Sequence, residues 1–216
     1  MAGRAFADHL EKALGLPTVV DHNVRTMALA ETRYGIGRGV DELLYVYART
    51  GLGAGVVLGG EPFRSGVYGI TELGHLKVVE KGRTCACGST GCLETVVSEP
   101  HLIEQVTAAG GDPTRLMDAV EAIPSVRDDL VEHLSTGLAA AVNLLNPELI
   151  LLGGIFVDAP PATFDRIRDA LRAKVFPVLR DAVRVERSTL GRDAGVIGGA
   201  AYALDRFFYS PQSTSS

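Results

Sequence analysis

Apolar positions recur along this chain with two different spacings. Near the start, Phe6, Leu10, Ala13 and Leu14 fall on one helical face, so residues 4–14 read as a helix that Gly15 and Pro17 end. The run 18–20 reads as a short strand leading into Asp21-His22-Asn23, and a second helical pattern covers about 24–34, closed by Gly35. The period then shortens. LLYVYA (43–48) is an apolar strand, TGLGAG (50–55) a Gly-rich turn, and 56–58 a returning strand that ends at Gly59-Gly60. Helical spacing resumes after residue 98, with helices at about 99–109, 113–122 and 126–145. Ser125 suits the N-cap of the last, and Asn146-Pro147 its stop. ELILLGG (148–154) is a buried strand ending in glycines, 161–175 a helix, 183–188 a strand and 194–207 a Gly/Ala-rich closing helix. Strands alternating with helices after an early hairpin predict an α/β fold with helices packed on a mixed sheet.

Composition narrows the function classes. The net charge of −5 over 216 residues opposes a general polyanion-binding surface, so this chain alone is not expected to hold nucleic acid. No apolar run approaches the length of a membrane span, and the acid-bearing start lacks the design of a signal peptide. The default is a cytoplasmic protein with reduced thiols. Residues 208–216 form a polar tail expected to be disordered.

The segment 72–94, between the hairpin and the next helix, carries all three cysteines, within eight residues of one another. The spacing is His75-x9-Cys85-x-Cys87-x4-Cys92. Three thiolates and one imidazole make a complete tetrahedral set for zinc, and Gly88 and Gly91 let the backbone turn tightly enough to gather them. A disulfide would leave one cysteine over, and neighbours in C-x-C bridge poorly. Four protein ligands leave no position for water, so the zinc would be structural. Glu72 and Glu94 flank the cluster. They could accept hydrogen bonds from a polyhydroxylated ligand, although spacing alone also fits solvated glutamates or caps on nearby backbone. Thr50, Gly51 and Gly53 could turn backbone N–H groups toward a phosphate, and Gly153-Gly154 could face a ligand at a strand's carboxyl end. Both glycine signals are weak alone, since hairpins need glycine anyway.

Taken together, ELGHLKV followed by CACGSTGCLE resembles the signature of the ROK family of bacterial repressors and sugar kinases. TGLGAGVVLGG is similar to that family's second phosphate loop, VVDHNVRTMALAE to its sugar-site segment, and NPELILLGG to its late nucleotide-side strand. The resemblance runs from about residue 5 to 206. It implies an actin-like, two-lobed fold, a structural zinc on His75, Cys85, Cys87 and Cys92, and sugar contacts on His22, Asn23, Glu72, His75 and Glu94. His75 would turn one ring nitrogen to the zinc and the other to the sugar. ATP and Mg²⁺ are implied only if the chain is a kinase. The family's kinases carry Asn-Asp where this chain has His22-Asn23, so an amide stands at the position of the general base and no catalytic residue is expected. The family's first phosphate loop, and the winged helix through which its repressors reach DNA, would precede residue 1. On this reading residues 1–39, with the closing helix 194–207, are a remnant of the N-terminal lobe, and 40–193 are the C-terminal lobe with its zinc loop at 75–92. The function expected is the sugar-binding effector module of a transcriptional regulator, self-associating as the family does, with an ATP-dependent sugar kinase as the alternative.

Overall fold

In the computed structural model the described residues are 2–64, 66 and 71–209, with side chains from residue 5 onward. The tail expected to be disordered lies outside them from residue 210. Helix α1 (Ala2–Leu14) leads by an irregular stretch to α2 (Asn23–Tyr34), then to strands β1 (Leu43–Ala48), β2 (Leu52–Leu58) and β3 (Glu61–Pro62). A loop containing one 3-10 turn, Leu73–His75, precedes α3 (Glu94–Val97), α4 (Glu99–Ala108), α5 (Leu116–Ala122) and α6 (Pro124–Leu145). The chain closes with β4 (Leu149–Gly154), α7 (Pro161–Lys174), β5 (Arg184–Arg187) and α8 (Ala194–Leu204), which runs on into a π turn, Asp205–Tyr209.

The strands form one sheet in the order β3-β2-β1-β4-β5. β1 pairs antiparallel with β2 and parallel with β4, Leu43 opposite Leu149 and Ala48 opposite Gly154. Both central strands are almost wholly apolar because both faces of the sheet are covered. Leu44, Val46, Ile150 and Leu152 point into a core with Leu130, Leu134 and Leu138 of α6 and Phe164, Ile167 and Leu171 of α7. Leu43, Tyr45, Leu149 and Leu151 point the other way, onto Val24, Met27 and Ala28 of α2 and Ala194 of α8. The result is three layers, with α2 and α8 on one face and α3–α7 on the other. Leu149, Ile150, Leu151 and Leu152 are each fully buried. Burial of each such side chain stabilises by about 1.5–3 kcal/mol.

The layer of α2 and α8 is held unusually close to its neighbours. A Cβ on Gly198 would meet the Thr26 carbonyl oxygen at 2.4 Å, and one on Gly55 the Val24 carbonyl oxygen at 2.5 Å. Glycine at these two points lets α8 and β2 approach the backbone of α2 directly.

Three local expectations are corrected. Residues 18–20 form no strand. Thr18 instead donates its N–H to Glu11 at 2.8 Å, which folds the segment back on α1 rather than onto a sheet edge. The turn of the hairpin is shorter than TGLGAG, because Leu52-Gly53-Ala54-Gly55 belongs to β2; the missing side chains of its glycines make room for α2. Ser125 lies inside α6, which starts at Pro124 with Ile123 at the cap position. Proline at the first helical position has no N–H to satisfy and a φ already suited to the helix. The stop is as expected, with Asn146 left-handed at φ 47°.

Candidate metal centre and adjoining cleft

Residues 76–79 run beside 91–93 and bring the two ends of the cysteine segment together. Val78 and Val79 donate to the Gly91 carbonyl at 2.9 and 3.1 Å, and Leu93 donates to Leu76 at 2.8 Å. This pairing puts Cys92 next to the 3-10 turn that carries His75. The rest closes as a small hairpin, with Cys85 N–H on Ser89, Gly88 N–H on Cys85 and Gly91 N–H on Arg83, at 2.8, 3.0 and 2.9 Å. Gly91 sits at φ 74°, and a Cβ there would fall 1.8 Å from the Val79 carbonyl oxygen, so no other residue fits this crossing.

The ligand atoms of His75, Cys85, Cys87 and Cys92 all lie within 4.8 Å of one another, the one such group of metal-binding side chains among the described residues. Cys87 and Cys92 sulfurs are 3.7 Å apart, and Cys85 Sγ is 3.5 Å from His75 Nδ1. A tetrahedral ion with sulfur at about 2.3 Å and nitrogen at about 2.0–2.1 Å separates its ligands by roughly 3.5–3.8 Å. The four groups therefore fit such an ion and could hold one. Without it, burial and the neighbouring sulfurs push the Cys92 thiol up to about 11. A hydrogen bond with the Ser89 backbone, followed by the Cys85 side chain, pulls the Cys87 thiol down.

Glu72 precedes the 3-10 turn as its cap residue, so it shares a side with His75, as their spacing suggested. His75 Nε2 is 3.7 Å from the Glu72 carboxylate while Nδ1 faces the sulfurs. The ring thus joins the metal cluster to the carboxylate. Glu94, first residue of α3, reaches across to the hairpin turn. Its Oε2 accepts the Leu52 N–H at 2.9 Å and lies where a Cβ on Gly51 would come within 2.4 Å. Here the backbone-capping role left open by the spacing is realised.

A cleft of about 180 Å³ opens beside this corner, lined by His22, Asn23, Val24, Arg25, Gly53, Ala54, Gly55, Val56, Phe63, Thr71 and Glu72. The N-terminus of α2 supplies His22 and Asn23, both exposed, and β2 supplies the floor. Of the residues singled out in the sequence, His22, Asn23, Glu72 and Gly53 meet here. His75 touches the cleft only through Glu72, and Glu94 stands behind it on the turn. A second cleft, about 120 Å³, lies at the carboxyl ends of β1 and β4, with Arg49, Glu99, Gly154, Asp158 and Arg192 in its wall. Gly154 reaches it. Gly153 does not, being buried under the Tyr45 hydroxyl. Thr50 and Gly51 form the turn between the strands that serve the two clefts, so the glycine positions do not converge on one site.

The sequence reading passed over Asp21 and Arg25. Arg25 pairs with Asp21 four residues earlier, across the start of α2, and Arg64 reaches the same carboxylate at 2.8 Å. The Asp21 side chain is 1% exposed, and its Oδ1 also takes the His22 N–H at 2.6 Å. Burial holds Arg25 below the usual guanidinium range. An acid and a base at i,i+4 across a helix start was the available signal. Phe63 and Thr71, which complete the wall, carry no such signal, since only the sheet brings them there.

No described helix is long and apolar enough to cross a membrane. The chain is 34% identical over 215 residues to a glucokinase of Halalkalibacterium halodurans, covering 89% of this chain and 65% of that one. It is 30% identical over 221 residues to the DNA-binding transcriptional repressor Mlc of Escherichia coli, covering 94% of this chain and 54% of the repressor. The structure of a ROK family glucokinase from Streptomyces griseus, solved with glucose and AMPPNP, superposes with a TM-score of 0.78 at 28% identity. That superposition covers 91% of this chain and 71% of the glucokinase, and the shared architecture is the actin-like fold of sugar kinases. With the family's sequence pattern matched across residues 2–206, the chain belongs to the ROK family.

Proposed function

We propose that this chain is the sugar-binding effector part of a ROK-type transcriptional regulator, and that it does not transfer phosphate. The observation that carries the reading is the chemistry at the start of α2. Asn23 stands in the cleft with an amide whose oxygen accepts its neighbour Val24's N–H at 2.9 Å. An amide takes no proton near neutral pH, and loss of a positioned base costs about 10²–10⁴-fold in rate. Asp21, two residues away, offers no substitute, because Arg25, Arg64 and the His22 N–H saturate a carboxylate that water scarcely reaches. His22, Asn23 and Glu72 remain able to hydrogen-bond hydroxyl groups, so a sugar can be held where it is not phosphorylated. Glu94 and His75 act from the second rank: Glu94 fixes the floor of the cleft, and His75 orients Glu72.

Zinc is the ion proposed for His75, Cys85, Cys87 and Cys92, on the softness of three thiolates and the tetrahedral spacing. Its part is structural. The proposed assembly is a cytoplasmic homo-oligomer that reaches DNA through a winged helix outside residues 1–216.

The kinase reading keeps specific support. Relatives at 34% and 28% identity are glucokinases, and the second cleft has Arg49 and Arg192 beside Gly154, where ATP with Mg²⁺ would sit. Titration calorimetry of the full-length, zinc-loaded protein with glucose, N-acetylglucosamine and N-acetylmannosamine tests the sensor. Silence toward all three and their 6-phosphates refutes it. A coupled ADP-release assay with the same sugars tests the alternative, and robust turnover reverses the ranking.

A further inference from the structure

Glu31 is fully buried on α2, yet no ion pair to its carboxylate is present among the described residues. Five hydrogen bonds hold it instead. Oε1 accepts from Ser188 Oγ at 2.6 Å, Thr189 N at 2.8 Å and Leu190 N at 3.1 Å. Oε2 accepts from Thr189 Oγ1 at 3.0 Å and Ile36 N at 3.2 Å. Ser188 is in turn bonded to the Tyr45 hydroxyl of β1 at 3.3 Å, and burial pushes that phenol up to about 12. A buried carboxyl group without a counter-ion is costly unless its hydrogen-bond partners are fixed in place. Four of these five donors lie on the single connection from β5 to α8.

That connection has a second use. The residues immediately after Leu190, Gly191 and Arg192, form part of the wall of the second cleft. The other end of α2 carries His22 and Asn23 in the first cleft. The helix between is 12 residues long, a rigid span of about 18 Å. Close glycine contacts leave it no room to move toward β2 or α8. A displacement of its first turn along the helix axis would carry Glu31 with it, and through its hydrogen bonds residues 188–190.

We infer that Glu31 is a positioning residue that couples occupancy of the first cleft to the 188–192 connection walling the second. The coupling would run along a contiguous path of one stiff helix and one carboxylate. It rests on the reading of the first cleft as the sugar site. It gives that site an output: sugar bound at Asn23 changes the shape of a cleft at the far end of the helix.

Hydrogen–deuterium exchange on the full chain, native and Glu31→Gln, tests this with saturating glucose, N-acetylglucosamine or N-acetylmannosamine. Glutamine keeps the size of the side chain and one acceptor oxygen, but its NH₂ group sets a donor against donors at the other position, the Ile36 N–H among them. In the native chain, a sugar that slows exchange at 22–27 should also slow 188–193, on the order of 5- to 10-fold, the lower range of site-to-site coupling. In E31Q the first effect should remain and the second disappear. Sugar-dependent protection of 188–193 that survives in E31Q overturns the coupling and leaves the sugar site standing. A native chain whose 22–27 amides respond to none of the three sugars overturns both. If E31Q does not fold, Thr189→Ala removes one bond to Glu31 together with the bond from the Ile36 N–H to the same hydroxyl, and the distant protection should then fall in part; unchanged protection counts against the inference. A purely structural Glu31 would alter basal exchange without altering the sugar-dependent difference.

Discussion

At the scale of single residues, the decisive position is Asn23. Its oxygen already serves the backbone of α2, and the adjacent carboxylate of Asp21 is bound to two guanidinium groups. Asn23→Asp replaces the amide by a carboxylate of the same shape at the position that the resemblance assigns to the family's base. In the full-length protein this should raise sugar-dependent ADP release, by up to about 10²–10⁴-fold where the phosphate clamps are present. Sugar affinity should change far less, since both side chains accept hydrogen bonds from a hydroxyl. A rise in turnover together with little change in affinity supports a binding site that lost its base. No change in turnover would mean that the missing base is not what silences the site. The grouping of the four candidate metal-binding side chains was legible because C-x-C-x4-C with a preceding histidine has few other uses. The Asp21–Arg25 pair was not, although the start of α2 was read to within one residue, because an acid and a base at i,i+4 are equally at home on a solvated helix face.

At the scale of elements, the packing of α2 against α8 yields a sharp contrast between two adjacent glycines. A Cβ on Gly198 would meet the Thr26 carbonyl at 2.4 Å, a backbone atom that cannot swing aside, whereas nothing lies within 4 Å of a Cβ on Gly199. Gly198→Ala should therefore destabilise by about 1–3 kcal/mol through overpacking. Gly199→Ala should stabilise by up to about 1 kcal/mol, because alanine is the better helix former. Denaturant unfolding of the two variants beside the native chain checks both signs, and equal effects would contradict the close helix contact. Elements of this kind were read correctly where apolar spacing was long and regular, as in α6, β1 and β4. TGLGAG failed as a turn for a reason seen only in three dimensions. Its glycines in β2 serve close approach to α2, and a sequence cannot distinguish that from turn chemistry.

At the scale of the whole molecule, the fold leaves open which branch of the family this is, since repressors and glucokinases share it. What it does fix is the mechanical relation between the candidate metal loop and the cleft. The outer part of the loop, about 80–90, is largely exposed and contributes almost nothing to the apolar core. Its base is anchored, because Leu93 is fully buried and Leu93 N–H is bonded to Leu76. Removing the metal should therefore loosen the loop while the five-stranded sheet persists, so far-UV circular dichroism should change little on chelation. The cleft should nonetheless suffer. Glu72 is held beside His75 and loses that reference, whereas Glu94 stays with the anchored base and the Leu52 N–H. Sugar affinity of the metal-free chain should fall by a factor within the usual span of coupling between sites, about 5- to 150-fold. Linkage then requires the converse: sugar must tighten the metal by the same factor. Competition for zinc with a chromophoric chelator, with and without saturating sugar, measures that second quantity independently. Matching factors establish the loop as a lever on ligand geometry. If affinity for sugar is identical with and without metal, the cluster only braces the fold, and the Glu72 carboxylate beside it is positioned by something else.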